Sequence, residues 1–205
     1  MEAVKQVPYG VADFESVIEL DLYYVDKTMY LAELEKQPSE RMGIVLGNFG
    51  KSLFISMMRA YYDKSKAESF DKLFGSLWIG SHPTPLRNHY QVLYLDFSRI
   101  LGNIDVLEEK FNSYCCDQLN DFIDTYRDDY PKERVEEFLR SDDHGQKLNL
   151  LLNMSRKYNQ PLYLIIDEYD NFTNIVLSEH REAIYHNMTH ASGFYREVFK
   201  KFKGM

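Results

Sequence analysis

The stretch Gly43-Ile44-Val45-Leu46-Gly47-Asn48-Phe49-Gly50-Lys51-Ser52-Leu53-Phe54 decides how the chain is read. Residues 43–46 form a short apolar run between polar segments, the pattern of a buried parallel strand. Gly47-Asn48-Phe49-Gly50 then turns the chain. From Lys51 onward, Leu53, Phe54, Met57, Met58 and Tyr61 recur at helical spacing and predict a helix with one inward face. Strand, glycine turn and helix in that order suit a phosphate. Glycines let backbone N–H groups approach an anion closely, and the helix N-terminus adds favourable partial charge. Lys51 would reach the β- and γ-phosphates, and the Ser52 hydroxyl would bind Mg2+. The full phosphate-loop pattern has a glycine where Val45 stands, and the available one is Gly47. Taken alone, Gly50-Lys51-Ser52 also fits an ordinary strand–helix turn with a solvated lysine.

A second motif supports the first. Pro161-Leu162-Tyr163-Leu164-Ile165-Ile166 reads as a strand that ends at Asp167-Glu168. An aspartate at a strand end can orient Mg2+ or its water, and a glutamate beside it can polarise an attacking water. Two carboxylates beside a buried strand are costly without a cation to balance them. The plainer alternative is a strand leaving the core at an acidic turn, with Asp170 capping a following helix. Residues 92–97 are a further strand, and residues 104–126, 132–140 and 146–158 are helices. Asp26-Lys27-Thr28 reads as a helix start, with Asp26 as N-cap of residues 29–35. Pro83-Thr84-Pro85 is a loop. Strands alternating with helices point to an α/β fold with a parallel sheet, in which ligands bind at the carboxyl ends of the strands.

Composition narrows the functional classes. The chain has 205 residues and a net charge of −8, which does not indicate nucleic-acid binding. Its clearest basic cluster, Lys200, Lys201 and Lys203, reads as a solvated helix end. Sixteen Tyr and thirteen Phe are enough to fill one core, so residues 1–205 are expected to form a single domain, with residues 1–40 leading into it. No apolar run is long enough to span a membrane, and residues 1–10 lack a signal peptide's apolar stretch. Cys115 and Cys116 are adjacent, as befits apolar filling of a helix in a reducing cytoplasm. His186 and His190 are one helical turn apart, but without the H-E-x-x-H glutamate they read as surface or core histidines rather than metal ligands. Asp167, Glu168 and Asp170 do not make a metal-dependent nuclease, because no lysine is placed on a following strand.

Several segments then resemble one family. Val7-Pro8-Tyr9-Gly10 with Asp13-Phe14, Tyr24-Val25-Asp26-Lys27-Thr28 and Phe49-Gly50-Lys51-Ser52-Leu53 resemble the predicted AAA-ATPase-like family of bacterial proteins. The likeness continues through Leu73-Phe74-Gly75, Arg87-Asn88-His89-Tyr90, Leu95-Asp96-Phe97-Ser98, Ile166-Asp167-Glu168-Tyr169-Asp170-Asn171-Phe172 and Gly193-Phe194-Tyr195-Arg196. It implies a three-layer P-loop NTPase-like core that binds ATP and Mg2+. Phe49, Gly50, Lys51, Ser52 and Leu53 would hold nucleotide, Ser52 and Asp167 the metal, and Glu168 would act as the catalytic residue. Many relatives carry a following nuclease-like domain of the PD-(D/E)XK type, and by that likeness the chain reads as truncated at its C-terminus. Any arginine finger would come from another subunit or from a further segment, so a homo-oligomer is expected. Relatives usually carry Arg-Pro-Arg-Arg where this chain has Val45, Leu46, Gly47 and Asn48. The alternative is a nucleotide-gated switch or interaction module without turnover.

Overall fold

The computed structural model describes residues 5–36, 50–100 and 106–168. The chain divides into two compact units, Met1–Val92 and Leu93–Met205. The expected strand at residues 43–46 lies outside the described residues, as do the three histidines His180, His186 and His190 and the terminal lysines.

The first unit is organised by the helix that follows the glycine turn. The first two helices are α1 (Phe14–Glu19) and α2 (Met29–Glu35), and the organising helix is α3 (Lys51–Tyr62). Helix α3 starts where its sequence places it. Ile55, Met57, Met58, Ala60, Tyr61 and Tyr62 are buried, whereas Leu53 and Phe54 are half-buried. The buried surface therefore widens towards the C-terminal end beyond the single stripe expected, as a helix packed on several sides requires.

Helix α1 packs along α3. Asp13 caps it: Oδ2 accepts the Ser16 N–H at 2.8 Å, and Oδ1 accepts the hydroxyl of Ser56, on α3, at 2.9 Å. Ser56 Oγ in turn accepts the Phe14 N–H at 2.9 Å. One carboxylate thus satisfies an orphan helix donor and ties two helices together. The Phe14 ring stacks 5.0 Å from Phe74, in α4 (Phe70–Phe74). Phe74 meets Tyr61 edge-on at 5.5 Å. Such offset and edge contacts are the arrangements that ring quadrupoles favour.

The start of α2 differs from expectation. Thr28, not Asp26, is its N-cap. Asp26 Oδ1 accepts the Thr28 N–H at 2.8 Å and its hydroxyl at 2.7 Å. Asp26 Oδ2 accepts the N–H of Trp78 at 2.7 Å, the first residue of α5 (Trp78–Ser81). Thr28 is fully buried, and its hydroxyl accepts the Ile79 N–H at 3.1 Å. Short polar side chains satisfy nearby donors in turns as readily as at caps, so Asp26 and Thr28 together clamp the entry to α2 onto α5. Residues 83–85 form the expected loop.

The second unit has mixed helix and strand. Strand β1 (Gln91–Asp96) runs into it, followed by α6 (Leu107–Thr125), α7 (Lys132–Leu139), α8 (His144–Lys157) and β2 (Leu162–Asp167). Among the described residues β1 and β2 pair as a two-stranded parallel sheet. Each of these elements falls within two residues of its expected span, apart from α6, whose expected first residues are not described. The core joins Leu93 and Leu95 of β1 to Phe111 and Ile123 of α6 and Leu148 and Leu151 of α8. Cys115 and Cys116 are free thiols buried on α6, as their adjacency suggests. Burial pushes the Cys115 thiol well up, with its neighbour Cys116 adding to the effect. Lys147 carries its charge inside, at 1% exposed. Its ammonium donates to Asn120 Oδ1 and to the Phe138 carbonyl, both at 2.8 Å, and lies 4.5 Å from the Phe138 ring centroid.

Candidate nucleotide site

The expected phosphate-binding residues Gly50, Lys51, Ser52 and Leu53 lie in the first unit. Gly50 has φ 79° and ψ 8°, in the left-handed region that glycine enters without penalty. It occupies the N-cap of α3, where a Ser, Thr, Asp or Asn would normally supply a side-chain acceptor, and it supplies none. The first turn closes through the Phe54 N–H donating to the Gly50 carbonyl at 2.9 Å. Lys51 is half-buried, Ser52 is exposed and Leu53 is half-buried. The helix therefore opens with a lysine and a hydroxyl in its first turn and with no cap side chain over its N–H groups. That donor set fits a phosphate anion, which such N-termini attract through partial positive charge. Phe49 lies outside the described residues.

A second lysine stands at the same turn. The Lys27 ammonium comes within 3.9 Å of the point where a Cβ on Gly50 would sit. The sequence reading placed Lys27 in a helix start and gave it no part in the site. No local spacing marks it, because its neighbour Gly50 comes much later in the chain.

The expected acidic pair, Asp167 and Glu168, lies in the second unit. Strand β2 ends at Asp167, which is 6% exposed, and Glu168 follows at φ 51°. The Glu168 N–H donates to Asp167 Oδ1 at 2.9 Å. Among the described residues the other non-glycine residues with positive φ are Asp21, Asn88 and Asn159. Asp and Asn tolerate this region because their short side chains bond locally; glutamate does not share that allowance. The backbone thus swings sharply as the strand ends, at the edge where parallel sheets bind ligands.

The neighbouring strand β1 also ends in a carboxylate, Asp96, which sequence reasoning did not single out. Asp96 Oδ1 accepts the Ser98 hydroxyl at 2.7 Å and the Ser98 N–H at 3.1 Å. Its own N–H donates to the Tyr114 hydroxyl oxygen at 2.7 Å. Asp96 therefore closes the turn after β1. Among the described residues no group of three or more His, Cys, Asp or Glu side chains is arranged to hold a metal ion. Mg2+ that enters with a nucleotide needs only one or two protein ligands, since phosphate oxygens and water complete its shell.

Residues 8–205 match the family described as Predicted AAA-ATPase. The chain belongs to that family. No curated protein and no solved structure matches it. Membership supports a nucleotide-binding, ATPase-like role. Among the described residues no helix is long and apolar enough to cross a membrane.

Proposed function

We propose that this member of the predicted AAA-ATPase family binds ATP with Mg2+ and hydrolyses it in the cytoplasm. The observation that carries the reading is the opening of α3: a left-handed glycine with no cap side chain, followed directly by Lys51 and Ser52. Backbone N–H groups of residues 49–53 cradle the phosphates, and Lys51 contacts the β- and γ-oxygens. Ser52 and Asp167 hold the metal ion, and Glu168 accepts a proton from water. Bound Mg2+ supplies neutralisation of phosphate charge. Any arginine finger is provided by a second copy or by a further segment of the protein. A non-hydrolysing switch is the second reading. It is favoured by residues 45–48, Val-Leu-Gly-Asn, which contribute no cation to the loop.

The test is calorimetric titration of Mg-ATP into the protein and into Lys51→Ala. Micromolar binding that the variant loses, followed by phosphate release in the wild type, supports hydrolysis. Binding without phosphate release selects the switch, and no binding by the wild type rejects both.

A further inference from the structure

We propose that Lys27 is a second phosphate-contacting cation of the α3 turn, held in place by Asp26 and Thr28 on either side. The inference rests on the nucleotide reading above and adds a residue to it.

Four observations converge. Lys27 is exposed, yet its ammonium lies beside Gly50, 3.9 Å from where a Cβ there would stand. Among the described residues it makes no ion pair with a carboxylate. The nearest acid in sequence, Asp26, already accepts from Thr28 and Trp78. An ammonium at a helix N-terminus meets partial charge of its own sign, an arrangement that an anion at the turn would reverse into attraction.

The positioning is built rather than incidental. A solvated surface lysine leaves its neighbours unconstrained. Here the residue before Lys27 is bonded to α5, and the residue after it is fully buried with its hydroxyl also bonded to α5. The stem of Lys27 therefore departs from a fixed backbone, so that ordering the ammonium against an oxygen costs side-chain freedom but little backbone freedom. The loop segment before Gly50 also needs help. Residues 43–50 contain no lysine or arginine, so within the turn Lys51 alone would face a polyphosphate.

The test measures affinity and stability separately in the full chain. Mg-ATP and Mg-ADP are titrated calorimetrically into wild type, Lys27→Ala, Lys27→Arg and Lys51→Ala, and each protein is melted without nucleotide. Loss of one charge-assisted hydrogen bond predicts that Lys27→Ala weakens both nucleotides about tenfold or more. Lys27→Arg is expected to recover most of that loss, and the nucleotide-free melting temperatures are expected to match the wild type. If wild type binds, Lys51→Ala loses binding and Lys27→Ala binds like wild type, the Lys27 proposal fails and the nucleotide reading stands. A Lys27→Ala protein that melts lower without nucleotide and is not rescued by arginine shows a structural role and also overturns it. Absence of Mg-ATP binding by the wild type removes the nucleotide reading and this inference together.

Discussion

Replacing Asp26 with alanine removes one carboxylate that serves two elements. Its oxygens accept from the Thr28 N–H, the Thr28 hydroxyl and the Trp78 N–H, at 2.8, 2.7 and 2.7 Å. Charge-assisted bonds can each contribute more than neutral ones, but this site is only half-buried, so solvent screening brings each to roughly 1 kcal/mol. The expected destabilisation of Asp26→Ala is then roughly 3 kcal/mol. For a chain of this size that corresponds to a fall in melting temperature of roughly 6–12 °C. Asp26→Asn keeps one acceptor oxygen but turns an amide donor towards a donor, and is expected to lose about half as much.

Trp78 is the sole tryptophan of the chain and stacks on His82 with ring centroids 4.4 Å apart. Its fluorescence therefore reports on the clamp itself. The pH dependence has a definite sign. Burial raises the Asp26 carboxyl, but hydrogen bonds from the Thr28 side chain and from the Trp78 and Thr28 N–H groups outweigh it and hold the pKa below 3.8. A folded pKa below the unfolded one gives stability that is fully present above the unfolded value and is lost as pH falls through the folded value. The gap between wild type and Asp26→Ala is expected to stay constant from neutral pH to about pH 5 and to narrow below about pH 4. A variant melting within 1 °C of wild type by Trp78 fluorescence, or a gap that widens in acid, would refute the reasoning.

Two further outcomes follow from the second unit. Lys147→Ala leaves the Phe138 carbonyl and Asn120 Oδ1 without their ammonium donor and opens space in the core, so it is expected to cost roughly 2–4 kcal/mol by urea denaturation. Burial raises the pKa of both Cys115 and Cys116. A thiol-disulfide reagent at neutral pH is therefore expected to label neither in the folded protein and both in urea, read by absorbance.

The longer elements were legible because their periods are long enough to count. Helix α3, helices α6, α7 and α8 and strands β1 and β2 follow from apolar spacing, and β2 ends at the residue the motif requires. Helices α1, α4 and α5 were not legible. Each spans six residues or fewer, less than two turns, so no repeat exists to detect. Asp26 misled for a chemical reason, since an aspartate two residues before a helix caps a turn and a helix in the same way. Lys147 and Lys27 were hidden for another reason. Asn120 and Phe138 around Lys147, and Gly50 beside Lys27, lie outside any local spacing pattern, and a lysine's default expectation is solvent.

Glu168 sits where glycine would be cheaper. Holding a long-chain residue in the left-handed region costs about 1 kcal/mol or more, a sizeable fraction of the few kcal/mol by which domains exceed unfolding. A chain shaped only by the demand to fold would relieve that strain with glycine at a modest loss of packing, since Glu168 is only half-buried. Under the role proposed for Glu168, activity and robustness pull this position in opposite directions. Of the two acids at the end of β2, Glu168 is the one where, on that proposal, the stabilising replacement by glycine would also be the disabling one.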